Sequence, residues 1–164
     1  AITEIGHRAG PHTDGVMLLS VIDKDMGYQA IITNLSRLKG TVKVGIMADA
    51  GSEKNGASLV EVAAYNEFGT QHIPARPFVR QTTDNNRWAW GSMAARLEDR
   101  VAHGMDPHQA LEILGNKAEG DMKKTIGRGH FVPNAPNTIK QKGSSQPLID
   151  TGRMRNSVSH KVED

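Results

Sequence analysis

Apolar residues recur three or four positions apart in four stretches of the chain, which is the spacing of one buried face of an α-helix. Each stretch is followed by a glycine, and glycine often ends a helix because it adopts the left-handed backbone without strain. The pattern therefore predicts four helices. They start at Asp23 or Asp25, Ser58, Pro77 and Asp106-Pro107 and stop at Gly40, Gly69, Gly104 and Gly127.

Two of the predicted starts carry capping signals. Ser58 and Glu61 have the spacing of a capping box, in which each side chain binds a free backbone N–H of the other residue. Asp106 followed by Pro107 places an N-cap carboxylate before a proline at the first helical position. Both signals strengthen the prediction of helices that begin at these residues.

Alternation of polar and apolar residues predicts strands at residues 41–46 and 158–162, and the apolar run 16–22 is a third candidate. Residues 1–15 contain Gly, His and Pro without any period, which predicts an extended arm that is flexible or ordered by a partner. Residues 16–164 are predicted to form a single domain. Its class is α+β, a small antiparallel sheet of two to four strands packed against about four helices, with a long loop near 127–147.

Charge and composition narrow the functional classes. The net charge is only +2 and no stretch is densely basic, so the chain lacks the basic face of a dedicated nucleic-acid binder. The chain contains no cysteine, which excludes disulfides, thiolate zinc sites and thiol catalysis. No apolar run approaches the ~20 residues of a membrane span, and no signal-peptide pattern is present. We therefore expect assembly in a host cytoplasm and no membrane partner.

Residues that carry out catalysis or bind metals form no known arrangement in this sequence. The seven histidines include no H-x-x-x-H or H-E-x-x-H pair, so scattered surface histidines are a better interpretation than a metal site. No serine lies in a G-x-S-x-G turn. We expect no enzymatic activity, no catalytic residue, no metal and no cofactor.

Two short segments stand out from the rest of the chain. In the first, residues 66–70 end a predicted helix, and residues 73–78 form a stiff extended link because two prolines fix φ. Arg76 and Arg80 lie near Glu67 in sequence, so a bidentate arginine–carboxylate pair would lock the bend. An ordinary interhelical loop with an intrachain ion pair and a contact between subunits are equally consistent with this segment.

The second segment is Pro147-Leu148-Ile149-Asp150-Thr151-Gly152, which we interpret as an apolar hook followed by a turn. Asp150 is predicted to accept backbone N–H bonds there, and a single helical turn follows through Arg153. A structural turn is favoured over a catalytic aspartate. A short helix is also predicted to start at Pro136.

Four motifs together carry a resemblance. The order and spacing of Asn-Glu-Phe-Gly-Thr, Ile-Pro-Ala-Arg-Pro-Phe, Asn-Thr-Ile-Lys-x-Lys-Gly and Pro-Leu-Ile-Asp-Thr-Gly-x-Met-x-x-Ser resemble phage virion-morphogenesis proteins. These are tail-completion or neck proteins, similar to the minor tail protein Z type of lambda-like phages and the protein G type of Mu-like phages. The match runs from about Lys43 to the C-terminus.

The resemblance implies a structural virion protein, an α+β subunit of a sixfold ring at the head-proximal end of a phage tail, where it mediates head–tail joining. The implied partners are further copies of itself, the head-closure or connector ring, the tail tube or tail terminator protein, and passing genomic DNA contacted without sequence specificity. The motif residues implied to hold the fold or the ring contact are Glu67, Phe68, Arg76, Phe78, Arg80, Asp150 and Arg153.

Alternatives stay open at this point. The alternative functions are a tail terminator, another head–tail connector component, or a small soluble nucleic-acid-binding module. The arm at 1–15 and the loop at 127–147 are the natural reaching elements of a ring subunit, since long irregular segments are usually functional. We expect the isolated protein to be monomeric or weakly associated and to become ordered on docking to a partner ring.

Overall fold

The computed structural model describes residues 3–5, 21–23 and 27–163. This part of the chain is α+β, as predicted. Its helices are α1 (Tyr28–Ser36), α2 (Leu59–Phe68), α3 (Phe78–Ala102), α4 (Pro107–Arg128), α5 (Pro136–Lys142) and α6 (Arg153–Asn156). Its strands are β1 (Thr3–Ile5), β2 (Val21–Asp23), β3 (Thr41–Ile46) and β4 (Val158–Glu163).

The strands form two antiparallel pairs. β3 pairs with β4 over its whole length, from Thr41 opposite Glu163 to Ile46 opposite Val158. Both strands were predicted from alternation, and both predictions are confirmed. β1 pairs with β2. Thr3–Ile5 is the only part of the predicted arm, and Val21–Ile22 the only part of the predicted strand 16–22, that lies within the described residues.

The core lies where the β3–β4 sheet meets α4 and the segment that follows it. Val158 is buried in this core, and Val44 and Ile46 pack against it from β3. Each large side chain removed from water here contributes about 1.5–3 kcal/mol. The buried members are Leu59, Ala63, Phe78, Met122, Ile126, Leu148, Met154 and Val158.

A second, smaller cluster ties α1 to the long α3–α4 hairpin. Leu97 and Val101 of α3 and Ala110 of α4 are buried together, and Leu38 packs against them. Asn34 of α1 donates a hydrogen bond of 3.0 Å to the carbonyl of Ala102. α1 therefore depends on α3 for its position.

Several predicted helix boundaries are corrected. α1 starts after Gly27 rather than at Asp23 or Asp25, and it ends at Ser36, before Gly40. The left-handed backbone of Gly27 starts the helix without a side-chain cap. α4 continues through Gly127 to Arg128, because a helical glycine costs only about 1 kcal/mol and Ile126 beside it is buried.

The two capping predictions have opposite outcomes. Asp106 caps α4 as predicted, since its carboxylate accepts a hydrogen bond of 3.0 Å from the N–H of Gln109. Ser58 is the N-cap residue of α2, but its side chain makes no capping hydrogen bond, so the capping box with Glu61 is wrong. The Leu59 N–H at this end bonds to the Gly51 carbonyl at 3.0 Å instead.

Candidate functional site

Arg76 is a buried charge at the centre of the first signature segment. Only 6% of the residue is exposed. Its guanidinium donates to the carbonyls of Val132 at 2.8 Å and Pro133 at 3.3 Å, and to the side-chain oxygen of Asn134 at 3.2 Å. Burial lowers the pKa of the Arg76 guanidinium. All three acceptors are uncharged, so the charge is stabilised by oriented dipoles and without a carboxylate.

Asn134 connects Arg76 to Gln146, the residue just before the second signature segment. It is buried, and its side-chain amide donates a hydrogen bond of 3.1 Å to the carbonyl of Gln146. The ammonium of Lys142 donates to the carbonyls of Gln146 at 3.1 Å and Pro147 at 3.4 Å. We call Arg76, Asn134, Gln146 and Lys142 the Arg76 network. It joins segments that are about sixty residues apart in the sequence, and it holds part of the 127–147 loop against the domain.

The predicted ion pair between Glu67 and an arginine is wrong. The Glu67 carboxylate accepts the backbone N–H groups of Val79 at 2.8 Å and Arg80 at 3.2 Å. These N–H groups belong to the first turn of α3, whose N-cap residue Pro77 supplies no side-chain cap. Glu67 therefore caps the N-terminus of α3 from a preceding helix. Its negative charge also interacts favourably with the helix dipole there.

Asp150 does not accept the backbone N–H bonds predicted for it. The Thr151 hydroxyl instead accepts the N–H of Arg153 at 3.2 Å. The same hydroxyl donates to the Glu53 carboxylate at 2.9 Å, and the Arg153 guanidinium donates to the carbonyl of Ser52 at 2.8 Å. The second signature is thus fastened to the loop before α2, and the predicted helical turn is present as α6.

The two phenylalanines of the first signature have opposite environments. Phe78 is 2% exposed and lies in the core, whereas Phe68 is 74% exposed at the end of α2. The backbone between them turns sharply at Gly69, where φ is +76° and a Cβ atom would lie 2.9 Å from the Ala75 nitrogen. Glycine is required at this position on both grounds. Phe78 therefore acts in the fold, and Phe68 remains available on the surface.

Two polar clefts of ≈ 370 and ≈ 470 Å³ adjoin the Arg76 network. Both are lined by Asn66, Lys142, Pro147 and Asp150. Burial lowers the pKa of Lys142, while the nearby Asp150 raises it and Arg76 lowers it. Asn66 was part of the first motif but not among the predicted site residues, and its carbonyl accepts the Arg76 N–H at 2.6 Å. Within the described residues, no group of three or more His, Asp or Glu side chains is placed to hold a metal ion.

A second, half-buried polar cluster was not predicted. The His160 ring lies between α4 carboxylates, with Nδ1 2.7 Å from Glu119 and Nε2 3.0 Å from Glu112. Lys123 donates to Glu119 at 2.6 Å. The ring fits because Gly115 faces it, and a Cβ there would lie 2.3 Å from the ring carbon Cδ2. The only sequence signal for this cluster was a glycine within the apolar stripe of α4, flanked by glutamates seven residues apart.

The charges in this cluster shift the titration of both partners. Hydrogen bonds to Glu119 and Glu112 raise the pKa of His160 despite its burial. Burial alone would raise the pKa of Glu119, but hydrogen bonds from Lys123 and His160 lower it overall. These hydrogen bonds therefore favour the charged forms of His160 and Glu119. The resulting ion pair holds β4 against α4.

No known protein-family model, curated protein or solved structure matches this chain. Across residues 27–163 and the two short described strands, no helix is long and apolar enough to cross a membrane.

Proposed function

We propose that this protein is a structural virion protein of a tailed phage, a tail-completion or neck ring subunit at the head-proximal end of the tail that mediates head–tail joining. The order and spacing of the four sequence motifs support this proposal. The observation that carries it is that Arg76 of the second motif and Lys142 of the third, distant in sequence, are joined in the Arg76 network, and Lys142 also donates to the Pro147 carbonyl of the fourth motif. A pattern spread along the chain thereby corresponds to one local structure.

The proposal gives different roles to the signature residues. Arg76, Phe78 and Arg153 hold the fold through buried or interloop contacts, and Glu67 caps α3. Phe68 is left for a contact with another chain. No catalytic step is assigned, because the signature residues bond to backbone groups and to one another in the manner of structural turns.

A neck ring must also let the genome pass. Phosphate contacts from a densely basic surface bind DNA strongly at low salt and would retard it. A net charge of +2 is compatible with passage. In this function the partners are further copies of the chain, a head-closure or connector ring, and the tail tube or terminator, all within the virion.

The test is deletion of the gene in a tailed phage that encodes this chain, followed by electron microscopy of the lysate. We expect filled heads and separate tails that do not join, and joining restored by the wild-type gene. A tagged copy should add density at the neck. Intact infectious particles from the deletion, or density elsewhere in the particle, would contradict the proposal. If the tagged copy adds density at the end of tails that lack heads, the alternative function of a tail terminator is favoured.

Two other classes make different predictions for the purified protein. A nucleic-acid-binding module should bind DNA with a logarithmic salt slope of about −0.9 for each phosphate contacted. A metal-dependent hydrolase should retain about one equivalent of metal after dialysis. A structural ring subunit of a virion is expected to show neither the steep salt dependence nor the retained metal.

A further inference from the structure

An apolar groove of ≈ 250 Å³ opens beside the end of α2. Phe68 forms one wall, and 74% of that residue is exposed. Glu67 is the one charged residue in the lining. We call this feature the Phe68 groove. Its lining residues are Ile46, Val60, Ala63, Ala64, Glu67, Phe68, Phe78 and Val79.

Trp88 projects from another side of the molecule. It is 79% exposed, and the Arg87 guanidinium carbon lies 5.8 Å from its ring centroid. Trp88 follows Val79, a lining residue of the Phe68 groove, by nine positions on α3. At about 3.6 residues per turn this spacing is two and a half turns, or roughly 13.5 Å along the axis. Val79 of the Phe68 groove and Trp88 therefore lie on opposite faces of α3.

The two features also match in charge and size. Among the ion pairs of the described residues, none includes Glu67 in the groove or Arg87 beside the tryptophan. The groove volume of ≈ 250 Å³ and its mostly apolar lining suit a large apolar side chain. Tryptophan and arginine are the side chains most enriched at the energetic centres of protein interfaces.

We propose that the Phe68 groove receives Trp88 from a second copy of this chain, with Arg87 of that copy facing Glu67. The contact rests on the proposed ring function and names the surfaces that would close the ring. Because the two surfaces differ, a pair of copies keeps one unused groove on one copy and one unused tryptophan on the other, so association continues from copy to copy. A twofold dimer would instead bring the same surface of each copy together.

Paired cysteines can detect this contact, because the chain has no native cysteine. Ala64→Cys places a thiol in the exposed lining of the groove, and Ser92→Cys places one on an exposed site one turn beyond Trp88 on the same face. The two variants are mixed at about 1 mM protein, where even a millimolar contact is well populated, and treated with a short bismaleimide. We expect a cross-linked dimer from the mixture and at least several-fold less from either variant alone.

Second substitutions make the result specific. Trp88→Ala in the Ser92→Cys chain, or Phe68→Ala in the Ala64→Cys chain, should reduce cross-linking several-fold without unfolding, since both side chains are largely exposed. Ile32→Ala removes an exposed apolar side chain that lines neither surface and should change nothing. Equal cross-linking of Ala64→Cys alone would indicate a twofold contact and overturn the proposal. Absence of a mixed dimer would overturn it as well.

Failure of this contact is distinguishable from failure of the proposed function. If the mixture does not cross-link but gene deletion still gives unjoined heads and tails, the neck function stands and the contact falls. If cross-linking succeeds but intact particles form without the protein, the contact stands and the function falls.

Discussion

Among the residues that the structure describes, the buried Arg76 and the half-buried His160 are held by different kinds of partner. Arg76 donates to two carbonyls and an amide oxygen, whereas His160 lies between the carboxylates of Glu112 and Glu119. Neutral acceptors give a contact that is independent of pH in the ordinary range. Carboxylate partners give one that requires a protonated imidazole. The two contacts are therefore expected to respond differently to mutation and to pH.

Arg76→Ala should have the largest effect. It removes three hydrogen bonds of a buried guanidinium, one of them to the buried Asn134, so we expect a loss of roughly 3 kcal/mol in the free energy of unfolding. Urea denaturation at about pH 5.5 and pH 8 should give the same loss. In a phage, we expect tails that do not join heads, or protein that does not fold.

Arg80→Ala is the matched control, because Arg80 is an exposed arginine in the same segment. Its loss should be within about 0.5 kcal/mol. Equal losses for both variants would mean that the buried hydrogen bonds of Arg76 contribute little, and the contrast with His160 would fail.

Gly115→Ala should have the next largest effect. The added methyl carbon would lie 2.3 Å from the His160 ring, so the ring must leave its two carboxylates. We expect a net loss of roughly 2 kcal/mol after a helix-propensity gain of about 1 kcal/mol. Gly120→Ala lies in the same helix with nothing within 4 Å and should be stabilising by about 1 kcal/mol. If both variants are stabilising in thermal unfolding, the close packing of His160 on Gly115 is refuted.

The pH dependence should be the smallest effect and the one that separates the two cations most clearly. The pKa of His160 is raised in the fold, so its contribution is complete below the ordinary value of 6.5 and is lost as pH rises through the folded value. The pKa of Glu119 is lowered, so its contribution is complete above 4.5 and is lost as pH falls through the folded value. Stability from the cluster is therefore greatest between these two ordinary values.

His160→Gln should abolish the loss of stability between about pH 5.5 and pH 8.5, because glutamine does not titrate. The measurement is the urea midpoint of the wild type and the variant at both pH values. A wild-type midpoint that stays level across this range, or a variant that retains the full drop, would show that His160 is not held as a cation.

The elements predicted best are those with strong local signals. β3 alternates at every position and α4 has both an N-cap aspartate and a proline, and both were predicted at their start. The partner of Glu67 was harder to predict. The sequence shows a carboxylate near two arginines, but it does not show that backbone N–H groups lie closer to that carboxylate than the guanidinium groups do. His160 occupies an inward position of an alternating strand, and only the tertiary packing of β4 on α4 brings the glutamates to it. Such long-range pairings leave almost no local pattern.

The pairing of β3 with β4 has a consequence for how the chain folds. Thr41 and Glu163 are partners although about 120 residues separate them, so closing this sheet costs the entropy of a very long loop. Contacts of high sequence separation slow folding. On the ribosome, β3 and α4 are synthesised before β4. The apolar face that β4 covers therefore stays uncovered until β4 has emerged. Folding of this protein is therefore expected to be completed late, after the last strand has emerged.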